Sequence, residues 1–157
     1  MKVLLVAIGK TSENYLIDGM AEYEKRIKRY IDFDLEIIPN IKKSSNLNKE
    51  VLKKKEGELL LSKFDKGDFI VLLDESGREF SSVKFSEYLQ GKMLTGIKRL
   101  VFVIGGAYGF SDEIYNRAES KMSLSKMTFS HQMIRLIFME QFYRAFTILN
   151  GEPYHHE

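Results

Sequence analysis

Three strand-length stretches of this 157-residue chain contain no polar residue: Val3–Ile8 (VLLVAI), Phe69–Leu73 (FIVLL) and Leu100–Ile104 (LVFVI). A strand with one wet face alternates apolar and polar side chains, so continuous runs predict strands covered on both faces. Helical patterns separate them. From Asn14 to Tyr30 the residues Tyr15, Leu16, Met20, Tyr23 and Ile27 recur at helical spacing, with Glu22, Glu24, Lys25, Lys28 and Arg29 outside. Phe33–Ile38 (FDLEII) alternates and reads as a half-exposed strand that Pro39 ends. Residues Asn40–Asn48 read as a flexible polar loop, and a charged helix is expected from Lys49 to Phe64.

In the second half, DESGREFSS (Asp74–Ser82) reads as a loop with turn chemistry at Ser76–Gly77. A helix is predicted over Val83–Leu94, burying Phe85, Tyr88, Leu89 and Met93. A short helix capped by Ser111 follows, with Asp112 and Glu113 in its first turn. Met122–Met127 is expected as a weak fifth strand, and Ser130 as the cap of a last helix running to Asn150, with Gly151 as its stop. Strand and helix alternate from end to end. The prediction is a single α/β domain over residues 1–157 with a mostly parallel sheet of about five strands.

Composition narrows the function. Hydrophobic residues make up 44% and charged residues 29%, the balance of a globular protein rather than a disordered one. The net charge of +2, from 24 Lys and Arg against 22 Asp and Glu, neither demands nor excludes a nucleic-acid partner. Without cysteine there can be no disulfide, thiolate metal site or thiol catalysis. No stretch approaches the ~18 apolar residues that span a membrane. The opening MKVLLVAIGK reads as a buried strand rather than an export signal, and a cytoplasmic protein is expected.

Several clusters could carry chemistry. Gly9-Lys10-Thr11 has the end of a phosphate-binding loop but lacks its first glycine, since Leu4 stands there, and reads as a strand-to-helix turn. Gly105-Gly106-Ala107-Tyr108-Gly109 is stronger, because it follows a buried strand at the carboxyl edge, where open α/β sheets bind ligands. It leaves bare backbone N–H groups for a nucleotide-like ligand or simply permits a tight turn. In Leu124–Phe129 (LSKMTF), Leu124, Met127 and Phe129 could enclose an aromatic base, or the segment could be an edge strand. His131, Arg135 and Arg144 lie on the apolar last helix. A buried arginine there predicts a paired anion: Glu140, Asp74 or a substrate phosphate. His155 and His156 with His131 lack metal-binding spacing, so no metal is expected; Tyr154 and His155 read as a tail laid over a surface.

Taken together, IGGAYG, LSLSKMTFSH and the helix ending FYRAF…NGEPYH resemble the SPOUT-class RNA methyltransferases, most closely the RlmH family. The resemblance extends to the MKVLLVAIGK start and the AEYEKRI and KEGE helices, and so spans the chain. It implies an α/β fold with a deep C-terminal trefoil knot, a homodimer, and S-adenosylmethionine as cofactor. By the same resemblance, the cofactor contacts fall on Leu73, Gly105 and the run Leu124, Ser125, Lys126, Met127, Thr128 and Phe129. The family's His and Arg match His131 and Arg144, and its tail matches Tyr154 and His155. Ser130 departs from the family, which commonly has proline there; serine can cap the helix that proline would start.

The implied reaction is methylation of N3 of a pseudouridine in 23S rRNA on the assembled ribosome. Arg144 and His155 are expected to assist loss of the N3 proton, Tyr154 to stack near the base and His131 to orient the site. Lys10, Lys25, Arg26 and Lys126 are candidate phosphate contacts on a dimer surface. Two rivals remain at this stage: a non-catalytic ribosome-binding or assembly factor, and a flavodoxin-like small-molecule module.

Overall fold

The first apolar run forms β1 (Lys2–Ile8), which pairs in parallel with β2 (Asp32–Ile38) on one side and β4 (Arg99–Ile104) on the other. The computed structural model describes residues 1–42 and 44–156, so Lys43 in the expected 40–48 loop, and Glu157, lie outside the described residues. β4 pairs in parallel with β3 (Phe69–Glu79), and β3 with β5 (Ser120–Ser123), giving the order β2-β1-β4-β3-β5. The three uninterrupted apolar runs are the three interior strands. Their alternate residues serve two cores: Val3, Leu5, Ala7, Leu100, Phe102 and Ile104 face one way, and Leu4, Val6, Ile8, Val101 and Val103 the other.

Helices α1 (Asn14–Ile27), α3 (Ser82–Leu94) and α5 (Met133–Leu149) cover the first face. Helices α2 (Lys49–Leu61) and α4 (Asp112–Arg117) cover the second. On the first face α5 brings a phenylalanine row onto β4, with Phe102 and Phe138 ring centroids 4.9 Å apart. No described helix is long and apolar enough to cross a membrane. Tyr15 and Met93, placed by their spacing on buried faces, are exposed. Each lies at the edge of its stripe, whose centre is filled by Leu16 and Met20 on α1 and by Phe85 and Leu89 on α3.

Two boundaries differ from expectation in ways that shape the site. The 74–82 segment is not simply a loop, because β3 runs on to Glu79. Met122 is the partner of both Leu73 and Arg78, so residues 74–77 bulge out of the ladder and pairing then resumes. Gly77 is required here, since a Cβ would stand 2.5 Å from the Met122 backbone. The fifth strand covers Ser120–Ser123 rather than Met122–Met127. Beyond it local side-chain bonds turn the chain: Ser123 Oγ donates to the Ser125 carbonyl at 2.9 Å, and Ser125 Oγ accepts from the Met127 N–H at 2.9 Å.

Ser130 caps the turn leading into α5, its Oγ accepting from the Met133 N–H at 3.1 Å, while Gln132 holds the helix's own N-cap position. Ser111 does not cap. It occupies the N-cap position of α4, but its buried hydroxyl makes no hydrogen bond and faces Gly57.

Candidate active site

All the strands are parallel, so their carboxyl ends and the loops after them share one edge of the sheet. There the bulge after Leu73, the Gly105–Gly109 loop and the segment from Met122 to His131 enclose a cleft of about 950 Å³. Leu73, Gly105, Leu124, Ser125, Lys126, Met127, Thr128 and Phe129 all line it, and so does His131. The glycine loop closes on itself through a hydrogen bond from the Gly109 N–H to the Gly106 carbonyl at 3.2 Å. Backbone therefore forms much of this wall, with Leu124, Met127 and Phe129 as its apolar part.

The rim of the cleft also carries Asp74, offered by the sequence as a partner for a buried arginine, together with Ser76 and Tyr115. Asp74 Oδ1 accepts from the Ser76 N–H at 2.8 Å and from Ser76 Oγ at 2.5 Å, and Oδ2 accepts from the Tyr115 hydroxyl. Burial raises the pKa of Asp74, but these hydrogen bonds outweigh it and hold the carboxyl below the usual carboxylate range. Tyr115 is pushed up by burial and by Asp74. The signal for this rim was the position of DES at the carboxyl end of an interior strand, topologically equivalent to the glycine loop.

Among the described residues Arg135 pairs with no anionic side chain. It is fully buried, yet donates to the carbonyls of Ile8 at 2.7 Å, Gly9 at 2.6 Å and His131 at 3.0 Å, and to Thr11 Oγ1 at 2.8 Å. Neither Glu140 nor Asp74 is its partner. Burial holds its pKa below the ordinary arginine value, and the carbonyl cage supplies acceptors in place of a counter-ion. Its role here is mechanical, tying the end of β1 to the start of α5.

Arg144, Tyr154 and His155 form a second group near the far end of α5, and none of them lines the cleft. Arg144 pairs with Glu140 at 2.7 Å, lies 4.7 Å over the Tyr154 ring and reaches His155 Nδ1 at 3.2 Å. Tyr154 donates to Glu140 at 3.0 Å, lies 3.3 Å from the Tyr23 hydroxyl and packs edge-on against Tyr143. Burial and these neighbours push the Tyr154 hydroxyl up. Tyr30, half-buried and donating to Glu152 at 2.7 Å, is pushed up to about 12 by partial desolvation and that carboxylate. Arg26 belongs to the same aromatic patch, stacked on Tyr23 and Tyr143 and paired with Glu22 at 2.9 Å, whereas Lys10, Lys25 and Lys126 are exposed. Among the described residues no group of three or more His, Asp or Glu comes together to hold a metal.

Comparison with known proteins matches this architecture over the full chain. A family model described as "Predicted SPOUT methyltransferase" covers residues 1–155. The ribosomal RNA large subunit methyltransferase H of Christiangramia forsetii is 60% identical over 156 residues, 99% of each chain. The proteins of that name from Parabacteroides distasonis and Flavobacterium johnsoniae are each 59% identical over 157 residues, 100% of both chains. An all-parallel α/β sheet with a backbone-walled cleft at its carboxyl edge, matched at this identity from end to end, makes this chain a member of the SPOUT methyltransferases, in the RlmH family.

Proposed function

We propose that the chain transfers a methyl group from S-adenosylmethionine to N3 of a pseudouridine in 23S rRNA, acting as a homodimer on the assembled ribosome. The observation that carries this reading is the cleft at the carboxyl edge, where Leu73, Gly105 and the run from Leu124 to Phe129 converge. Its size and lining fit the cofactor: bare backbone for the polar edge of an adenine, Leu124, Met127 and Phe129 for its faces, and acidic Asp74 and Glu75 on the rim of a site for a cation. The large-subunit names of the relatives support the RNA substrate. A ribosomal substrate implies work in the cytoplasm, and the reading needs neither metal nor membrane.

The cofactor supplies an activated methyl on a positively charged sulfur. The N3–CH3 bond forms as the CH3–S bond breaks with its electron pair going to sulfur, and the N3 proton leaves to solvent or a base. The chain's task is to hold N3 in line and to stabilise charge on the base carbonyls. Arginine can only donate, so the Arg144 contact fixes His155 Nδ1 as an acceptor and leaves the proton on Nε2. That Nε2 is buried and has no partner among the described residues. In this arrangement His155 is a hydrogen-bond donor for a base carbonyl rather than the proton acceptor.

A homodimer would reconcile the two ends of α5. Met133 and Arg144 are about 16 Å apart along α5 at 1.5 Å per residue, so one base cannot touch His131 and the Arg144 group of the same chain. We read the working site as one protomer's cleft facing its partner's tail. The resemblance also carries a trefoil knot, with the chain from Ser120 onward as its threaded part; the 74–77 bulge pressed against the Met122 backbone supports this.

The test is incubation with methyl-labelled cofactor and ribosomes from a strain lacking the modification, followed by mapping of the labelled nucleotide. Label on N3 of one 23S pseudouridine is the expected result. Ribosome binding without transfer would make the chain an assembly factor.

A further inference from the structure

A second cavity of about 330 Å³ adjoins the cleft, and Lys49, Gly106, Ala107, Tyr108 and His131 line both. Glu56 lines only the smaller one. Its side chain reaches in from α2 beneath the glycine loop, so close that a Cβ at position 106 would run into the carboxyl group. Glu56 is only 6% exposed, and among the described residues its Oε2 meets no donor and it forms no ion pair. A buried carboxyl without a partner costs stability, and a purely structural position would be better filled by an apolar side chain. Lys49 stands two turns earlier on the same face of α2, its ammonium 5.1 Å from the Tyr108 ring centroid and, among the described residues, without a carboxylate partner. A bare carboxyl inside and a free ammonium at the mouth complement a zwitterion.

We propose that this cavity receives the α-amino-acid end of the cofactor, Glu56 taking its ammonium and Lys49 its carboxylate. The inference rests on S-adenosylmethionine being the cofactor. The adenosine part then occupies the larger cleft, and the glycine loop forms the partition over which the ligand bends. Gly106 is glycine because its backbone lies between the carboxyl below and the ligand above.

The test is calorimetric titration of the full chain with S-adenosylhomocysteine and with 5′-methylthioadenosine, which lacks the amino-acid end. The wild-type chain is expected to prefer S-adenosylhomocysteine by tenfold or more, about the worth of one charge-assisted contact. Glu56→Gln should weaken S-adenosylhomocysteine about tenfold and leave methylthioadenosine within about twofold, with an unchanged circular-dichroism spectrum. Lys49→Gln, an exposed change that does not threaten the fold, should erode the same preference. If both variants keep the wild-type preference, the proposal is overturned. If the wild-type chain binds neither compound, the cofactor reading itself fails.

Discussion

Arg135 and Glu56 are both charged side chains buried in the fold, and their surroundings separate structure from function. Arg135 has four acceptors, three of them main-chain carbonyls, drawn from the end of β1, the turn after it and the approach to α5. Sequence alone could not distinguish such a cage from an ion pair, because every residue brings a carbonyl and nothing marks which ones converge. Lysine has no planar fork to reach two carbonyls and a hydroxyl together. Arg135→Lys should therefore destabilise the chain by about 3 kcal/mol, readable as a lower urea midpoint with an unchanged slope. Glu56 is the opposite case, since burial raises its pKa and among the described residues no cation offsets it. An unfolded glutamate titrates near pH 4.3, at about its ordinary value. The folded chain therefore holds its proton to higher pH and loses stability as pH rises through the raised value. Glu56→Gln escapes that loss. Its melting temperature should exceed the wild-type value at pH 7, and the gap should shrink toward pH 4; equal melting temperatures at pH 7 would mean the carboxyl finds a partner in solution.

Among the elements, interior strands were the most legible, because burial on both faces leaves uninterrupted apolar runs of strand length, rich in β-branched residues and set between helical patterns. The continuation of β3 past Leu73 was not legible. After a four-residue bulge the strand resumes with Arg78 and Glu79, whose polarity reads as loop. The fifth strand was misjudged for a related reason: in Ser123–Met127 the alternation of small and apolar residues imitates a strand, while the serine oxygens fold it into a turn. Helix α5 was recognisable as a helix, yet its division of labour was not, since the cleft lies at its start and the Arg144 group near its end. That division predicts different kinetic signatures for the two ends. Arg144→Ala and His155→Ala should each slow single-turnover methylation by about 100-fold, the usual cost of removing a donor at developing charge, while S-adenosylhomocysteine affinity is unchanged. Normal single-turnover rates in both variants would remove that group from the reaction.

For the whole molecule, the separation along α5 turns a statement about distance into one about assembly. If one protomer's cleft is completed by its partner's tail, as proposed, a two-fold dimer carries two equivalent composite sites. Arg144→Ala spoils the tail side of a site and Gly106→Val the cleft side, where the new branch would meet the Glu56 carboxyl. Each variant alone should be inactive, since every site in its homodimer is defective. Mixed one to one and allowed to exchange subunits, half of the dimers carry one chain of each kind. In such a dimer one site combines both lesions and the other combines two intact halves. The mixture should therefore regain about a quarter of wild-type activity, without either chain being repaired. A site built within one chain gives a different outcome, because no exchange of partners could unite an intact cleft with an intact tail, and the mixture would stay inactive.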